Sequence, residues 1–325
     1  TFQEKYLLHI FIFFNKSRNM SAFVFPGQGS QYVNMAMDFN ENFSDARDTF
    51  EEIEERTNIN IRKIIYENQQ DKLNQTNYTQ ITIFAASMAI YNTLIKQIDS
   101  NLIKPKIVLG HSLGEYSALV ANKTIKLADA SNLIKIRGKL MHSAIEPNLS
   151  GMAAIIGKNA EFIDNLIKKN NMDIVIANDN SPMQVVVSGL IENINSAKHS
   201  FISNGVKKYV KLNVSAAFHS EYMKSSQNKL IEEISKLTFT NSKIPIISNY
   251  DANINYDIQK VISCLKNQMA NKVRWTESIK KLEKTNITNI IEIGPSKVLS
   301  GLISRISKKF DIKSIDKIED LEKLK

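Results

Sequence analysis

The sequence predicts an α/β fold: a larger unit on a parallel sheet, interrupted by a smaller β-α-β-β-α-β unit. Three observations predict it. Short apolar runs, such as Ala22-Phe23-Val24-Phe25, Ile107-Val108-Leu109 and Ile290-Ile291-Glu292-Ile293, read as strands. Stretches with helical spacing of apolar residues lie between them. Between Met152 and Val214 the order strand, helix, strand, strand, helix, strand is complete, the ferredoxin-like arrangement. A chain of 325 residues, 43% hydrophobic and 23% charged, suits one large or two medium domains with a real core.

Residues 1–19 carry an apolar stretch, Tyr6 to Phe14, followed by Lys16 and Arg18, then Met20. The stretch is too short to span a membrane, and its basic residues mostly follow it, the reverse of a secretory signal. The folded protein is expected to begin at Met20, with 1–19 an upstream extension, an organellar leader remnant or a start-site artefact. Ser21–Phe25 is a buried strand that runs into the Gly-rich loop Pro26-Gly27-Gln28-Gly29-Ser30-Gln31. Residues 42–56 and 78–98 read as helices, 107–109 as a strand, 115–121 as helix-like and 127–142 as an amphipathic helix. The turn cluster at 146–151 marks a boundary. The smaller unit follows: strand 152–156, helix 160–169, strands 174–177 and 184–188, helix 191–203 and strand 206–214. The chain then returns with strand 244–248, helices 257–269 and 276–282, strand 289–293 and helix 297–306. The expected division is therefore 20–148 and 215–325 as the core, with 149–214 as an inserted ferredoxin-like subdomain.

Composition narrows the function classes. No apolar run approaches the roughly 20 residues of a membrane span. A single cysteine, Cys264, excludes an internal disulfide framework and fits a reducing compartment. It reads as a packed residue. The formal net charge of +9 suits an acidic partner, or reflects a Lys-, Asn- and Ile-rich composition set by the source genome. Scattered lysines, no zinc spacing and no aromatic–basic interleaving argue against nucleic acid.

Gly110-His111-Ser112-Leu113-Gly114 is a G-x-S-x-G box between a strand and a helix, the context of a nucleophile elbow. Its sharp turn presents Ser112 Oγ at a strand's C-terminal end, and the helix N-terminus offers amides to a developing oxyanion. Serine needs a base. There are five histidines. His9 lies in the extension, His111 abuts Ser112, and His142 and His199 sit on helices. His219, in a loop of small residues just past a strand, is the expected base; the alternative is a satisfied loop histidine. Asp129, Asp173 and Asp179 fall between Ser112 and His219, but none ends an obvious core strand. A dyad with a backbone carbonyl orienting His219 is thus expected in place of a triad. The loop at 26–31 offers the Gln28 amide as one oxyanion donor, with the Leu113 amide as the other, or it is simply a strand-to-helix turn. Arg137 is either a clamp for a substrate carboxylate or a solvated helix-surface arginine, and spacing alone favours the latter.

Together these segments resemble the malonyl-CoA:acyl-carrier-protein transacylases of fatty-acid synthesis. The resemblance runs from about Met20 to Lys308. It is carried by Phe25–Gln31, Gly110–Tyr116, Arg137-Gly138 with Met141, Val214–Ser220, Gln268 with Val273-Arg274-Trp275, and Glu292–Pro295. The elbow is shared with many hydrolases; the ordered set is specific. Lys272 stands where proline is frequent. Phe218 before His219 resembles malonyl-selective members. The resemblance implies an α/β-hydrolase-like core with Ser112 as nucleophile and His219 as base. Gln28 and Leu113 form the oxyanion hole, Arg137 holds the malonyl carboxylate, Gln268 orients His219 through its carbonyl, and His111 shapes the pocket. It further implies ping-pong transfer from malonyl-CoA to acyl carrier protein with no metal or bound cofactor. A monomer is expected, cytoplasmic as in bacteria, or organellar if 1–19 is a leader remnant. Two other readings remain: a serine esterase or thioesterase, and a non-catalytic carrier-protein-binding homologue.

Overall fold

The structure, a computed structural model, describes residues 20–98 and 103–324. The expectations for residues 1–19 lie outside the described residues. From the N-terminal side come β1 (Ser21–Phe25), α1 (Met37–Asn42), α2 (Ser44–Thr57), α3 (Ile61–Glu67), a 3-10 segment (Gln69–Asn74) and α4 (Thr76–Gln97). Next are β2 (Pro105–Gly110), α5 (Gly114–Ala121) and α6 (Leu127–His142). The following six elements are β3 (Ser150–Ile156), α7 (Ala160–Lys169), β4 (Ile174–Ser181), β5 (Gln184–Leu190), α8 (Ile191–Ser203) and β6 (Lys208–Lys211). The chain closes with α9 (Lys224–Ser235), β7 (Ile246–Ile247), β8 (Ile254–Asn255), α10 (Ile258–Lys266), α11 (Trp275–Glu283), β9 (Asn289–Ile293), α12 (Val298–Ile306) and β10 (Asp311–Ile315).

The larger sheet has the strand order β10-β9-β1-β2-β7-β8. Its strands pair in parallel except β7 with β8. The sheet is therefore mixed, which corrects the expectation of a parallel one. A short turn joins β7 to β8, and strands so joined can only run antiparallel. Side chains alternate across the sheet: Phe23, Phe25, Val108 and Ile291 face one core with Phe84 and Tyr116. Ala22, Val24, Leu109 and Ile290 face another with Trp275, Ile279 and Leu299. Burial on both sides explains why β1 and β2 carry no polar alternation.

The smaller sheet, order β4-β5-β3-β6, is antiparallel throughout. One face packs α7 and α8 through Ile155, Val187, Ile163, Leu166 and Phe201. From the other, Met152, Ala154 and Val186 join the core of the larger sheet. β4 also exchanges backbone hydrogen bonds with Val273, which donates to Ala177 O at 2.9 Å and accepts from Asp179 N at 3.0 Å.

Several elements depart from expectation. The strand expected over 206–214 shortens to β6, and Leu212 and Val214 turn toward a cavity. The helix expected over 257–269 stops at Lys266, which leaves later carbonyls outside the helical hydrogen-bond ladder. Helices α1, α3 and α9, and strands β8 and β10, were not expected. β8 is only two residues long, and β10 is a half-exposed edge strand with a weak apolar signal.

Candidate active site

Parallel pairing sets β1 beside β2 in a register that places Phe25 opposite Gly110. The loop after β1 and the elbow after β2 thus emerge side by side at the carboxyl ends of adjacent strands, where ligand sites form in open α/β sheets. Their contact is close: a Cβ on Gly27 would lie 2.3 Å from His111 O, and one on Gly114 would lie 2.0 Å from Phe25 O. The missing side chain of Gly27 is what admits the elbow, and Gly27 also lines the cavity beside Ser112. Ser112 itself holds a left-handed φ of 51°, the strain that accompanies a nucleophile elbow.

The elbow is further tied down by Asn249, just past β7. Its Oδ1 accepts the Ser112 amide at 2.6 Å and its Nδ2 donates to Gly110 O at 2.7 Å. The Ser112 N–H is therefore committed to structure. Among the described residues, the Gln28 and Leu113 amides have no protein acceptor, and both residues line the cavity beside Ser112.

His219 comes from the far side, held by the smaller sheet. Ser150 on β3 accepts the Ala217 amide at 3.0 Å, and Ser188 on β5 donates to Phe218 O at 2.6 Å. The histidine is 4% exposed, with a φ of 56° that aims its ring back toward the elbow. Its Nε2 lies 2.8 Å from Ser112 Oγ. Its Nδ1 faces two carbonyls, Gln268 O and Asn271 O, each at 3.1 Å. Carbonyls only accept, so Nδ1 carries the proton and Nε2 keeps a lone pair for the serine hydroxyl. The expected dyad orientation by Gln268 is present, with Asn271 added; its sequence gave no signal beyond lying near Gln268. Asp179, one weighed carboxylate, instead binds Thr276 Oγ1 at 2.6 Å. Burial, reinforced by the charge of Arg137, pushes the His219 pKa down to about 3.

Arg137, from α6, is 1% exposed, which corrects the solvated-surface reading. Its Nη1 donates to Gln80 Oε1 at 2.6 Å, and its Nη2 to Gln268 Oε1 and Ser112 Oγ, both at 3.0 Å. The guanidinium lies 5.3 Å from the Tyr116 ring centroid. Its Nε is buried without a partner. The nearest oxygens are neutral amides and a hydroxyl, so a buried cation stands here without a bonded carboxylate. Such a charge is costly to hold unpaired. Its Nε–Nη2 edge is the fork that takes a carboxylate through two parallel hydrogen bonds.

His111 also lines the cavity. Its Nε2 meets Asn180 Oδ1 at 2.8 Å, its ring sits edge-on to Trp275, and burial lowers its pKa. The cavity measures about 290 Å³, and Met141, Met152, Val186, Phe218 and Leu302 give it apolar walls. Cys264 is buried, and burial pushes its thiol up to about 12, so it is inert packing as expected. Sequence reasoning missed Gln80, Glu115, Asn180 and Asn249. Glu115 had a signal: it is a carboxylate in an otherwise apolar helix.

This geometry can take the Ser112 proton, hold an oxyanion at two free amides and pair a short acyl group's carboxylate. A family model described as an acyl transferase domain matches residues 22–323. The malonyl CoA-acyl carrier protein transacylase of Bacillus subtilis is 34% identical over 305 residues, covering 93% of this chain and 95% of that protein. The crystal structure of an acyl carrier protein S-malonyltransferase from Vibrio cholerae matches with a TM-score of 0.88 at 34% identity, over 94% of this chain and 99% of that one. A malonyl-transacylase in complex with its type II PKS acyl-carrier protein matches with a TM-score of 0.89 at 32% identity, over 94% and 98% of the two chains. With likeness running nearly end to end, the chain belongs to the acyl transferase domain family and groups with its malonyl CoA-acyl carrier protein transacylases.

Proposed function

We propose that this protein moves the malonyl group from malonyl-CoA to the phosphopantetheine thiol of acyl carrier protein, through a malonyl-Ser112 intermediate, for fatty-acid synthesis. The observation that carries the substrate assignment is the buried Arg137 fork, 3.0 Å from Ser112 Oγ and without a bonded carboxylate. His219 Nε2 takes the Ser112 proton as Oγ attacks the thioester carbon. The Gln28 and Leu113 amides hold the tetrahedral oxyanion. The intermediate collapses, the C–S bond breaks, and His219 returns the proton to the departing CoA thiolate. In the second half the carrier thiol gives its proton to His219, attacks the acyl carbon, and Ser112 leaves protonated. Gln268 and Asn271 hold the imidazole, and His111 shapes the wall beside the elbow. A thioester is already activated, so the chemistry calls for no metal or bound cofactor.

The larger sheet acts as an α/β-hydrolase-like core, residues 20–148 and 215–325. Residues 149–214 act as a ferredoxin-like subdomain that presents His219 and walls the cavity. Acylation by malonyl-CoA without carrier protein, followed by discharge to added holo-carrier protein, tests the reading. Wild type should form a stable malonyl adduct that transfers, and Ser112→Ala should form none. Rapid loss of the adduct to water would favour the thioesterase reading, and no adduct on wild type would favour the non-catalytic one.

A further inference from the structure

Glu115 is a carboxylate in the middle of the molecule that the reaction above does not use. It lies one residue past the elbow, in the first turn of α5, and is 1% exposed. Its Oε2 accepts from Asn249 N at 3.2 Å and from Gln268 Nε2 at 2.8 Å. Gln268 Nε2 also donates to Ser112 O at 2.7 Å. Both acceptors lie on one side of the Gln268 amide, so the amide has one orientation: NH2 toward Glu115 and Ser112, carbonyl toward Arg137. That carbonyl is the acceptor 3.0 Å from Arg137 Nη2. Turned over, the amide would aim N–H groups at a cation and lose both of its own acceptors.

We infer that Glu115 is a specificity-determining positioning residue: it fixes the Gln268 amide, and through it the Arg137 fork, so that the guanidinium is aimed at the acyl carboxylate but is not itself neutralised. The amide is a spacer between the buried guanidinium and the buried Glu115 carboxyl, whose pKa burial raises to about 7. Direct contact would give an internal ion pair and consume the fork; Gln268 transmits the orientation and leaves the charge free for substrate. Asn249 links the same carboxylate to the Ser112 amide, so one side chain aligns nucleophile and fork together. The inference rests on the reading of Arg137 as the malonyl-carboxylate site.

The test is competition between malonyl-CoA and acetyl-CoA for wild type, Glu115→Ala, Glu115→Gln, Gln268→Leu, Glu115→Ala/Gln268→Leu and Arg137→Ala, with rates expressed per acylatable enzyme so that partial unfolding cancels. In Glu115→Ala, kcat/KM for malonyl-CoA should fall about 10- to 100-fold while that for acetyl-CoA falls much less. Glu115→Gln keeps an acceptor oxygen and should retain the preference within about threefold. In the Gln268→Leu background, Glu115→Ala should add little further change in the preference. Equal losses with both donors in Glu115→Ala, or a full additional loss in the double variant, would overturn the inference. If Glu115→Ala does not fold, the same contrast is read from Glu115→Asp, whose carboxylate falls short of Gln268. An unchanged preference in Arg137→Ala would instead defeat the underlying reading of the fork.

Discussion

At the scale of the residue, Ser112 Oγ is shared by two cationic or basic groups with opposite tasks. His219 draws its proton at 2.8 Å, and Arg137 donates to the same oxygen at 3.0 Å, which favours the alkoxide. The same guanidinium disfavours a charged imidazole, the second cause, after burial, of the low His219 pKa. The sign follows: His219 is neutral, hence competent as a base, at every pH well above about 3. Inactivation of Ser112 by an uncharged sulfonyl fluoride should therefore show no histidine limb between about pH 5 and 8. A limb centred near the ordinary histidine value of 6.5 would show that the histidine is more solvated than the geometry indicates. Ser112 and His219 were legible in sequence because each sits in a short motif with a distinctive turn. Arg137 was not legible from spacing, since a lone arginine on a helix reads the same whether it points to water or to a cavity. The resemblance singled it out, and the fold shows that α6 turns that face inward.

At the scale of the element, two glycines let the loop after β1 lie on the elbow after β2. A methyl group on Gly27 would meet backbone, His111 O at 2.3 Å, and backbone cannot swing aside as a flexible side chain does. Gly27→Ala should displace the Gln28 amide while leaving both sheets intact. The expected loss in kcat is about 100-fold, the cost of one oxyanion donor, with a shift of only a few degrees in Tm. Steady-state kinetics beside a thermal melt checks this, and wild-type kcat would remove Gln28 from the oxyanion hole. Strands were predicted where burial on both faces made them continuous apolar runs, as at β1, β2 and β9. Helices α6, α7 and α8 were predicted with their observed bounds from their apolar spacing, and α7 also has a start marked by Asn159, whose side chain accepts the Phe162 amide. The misses have physical reasons. β8 and β10 are short or edge-lying, and α10 ends at Lys266, two residues before Gln268, whose carbonyl faces His219.

At the scale of the whole molecule, the nucleophile is carried by one sheet and the base is pinned by another. Activity therefore depends on how the sheets are held together. Short links do this: β4 to Val273, Asp179 to Thr276, and Asn180 to His111. The formal charge of +9 adds a long-range effect. A basic surface speeds encounter with an acidic carrier protein, and salt screens it over a Debye length of about 10 Å at 0.1 M. Raising the salt should slow malonyl transfer to carrier protein more than acylation by malonyl-CoA, read by stopped reactions of each half. Equal sensitivity of the two halves would place the charge outside the docking path. Among the described residues no helix is long and apolar enough to cross a membrane.

The role of Arg137 as the malonyl-carboxylate site is tested by intact-protein mass spectrometry of wild type and Arg137→Ala after mixing with malonyl-CoA or with acetyl-CoA. Wild type should carry a malonyl adduct, and the variant should lose the malonyl adduct with acetylation retained or increased. Undiminished malonylation of Arg137→Ala, with no gain in acetylation relative to malonylation, would contradict it.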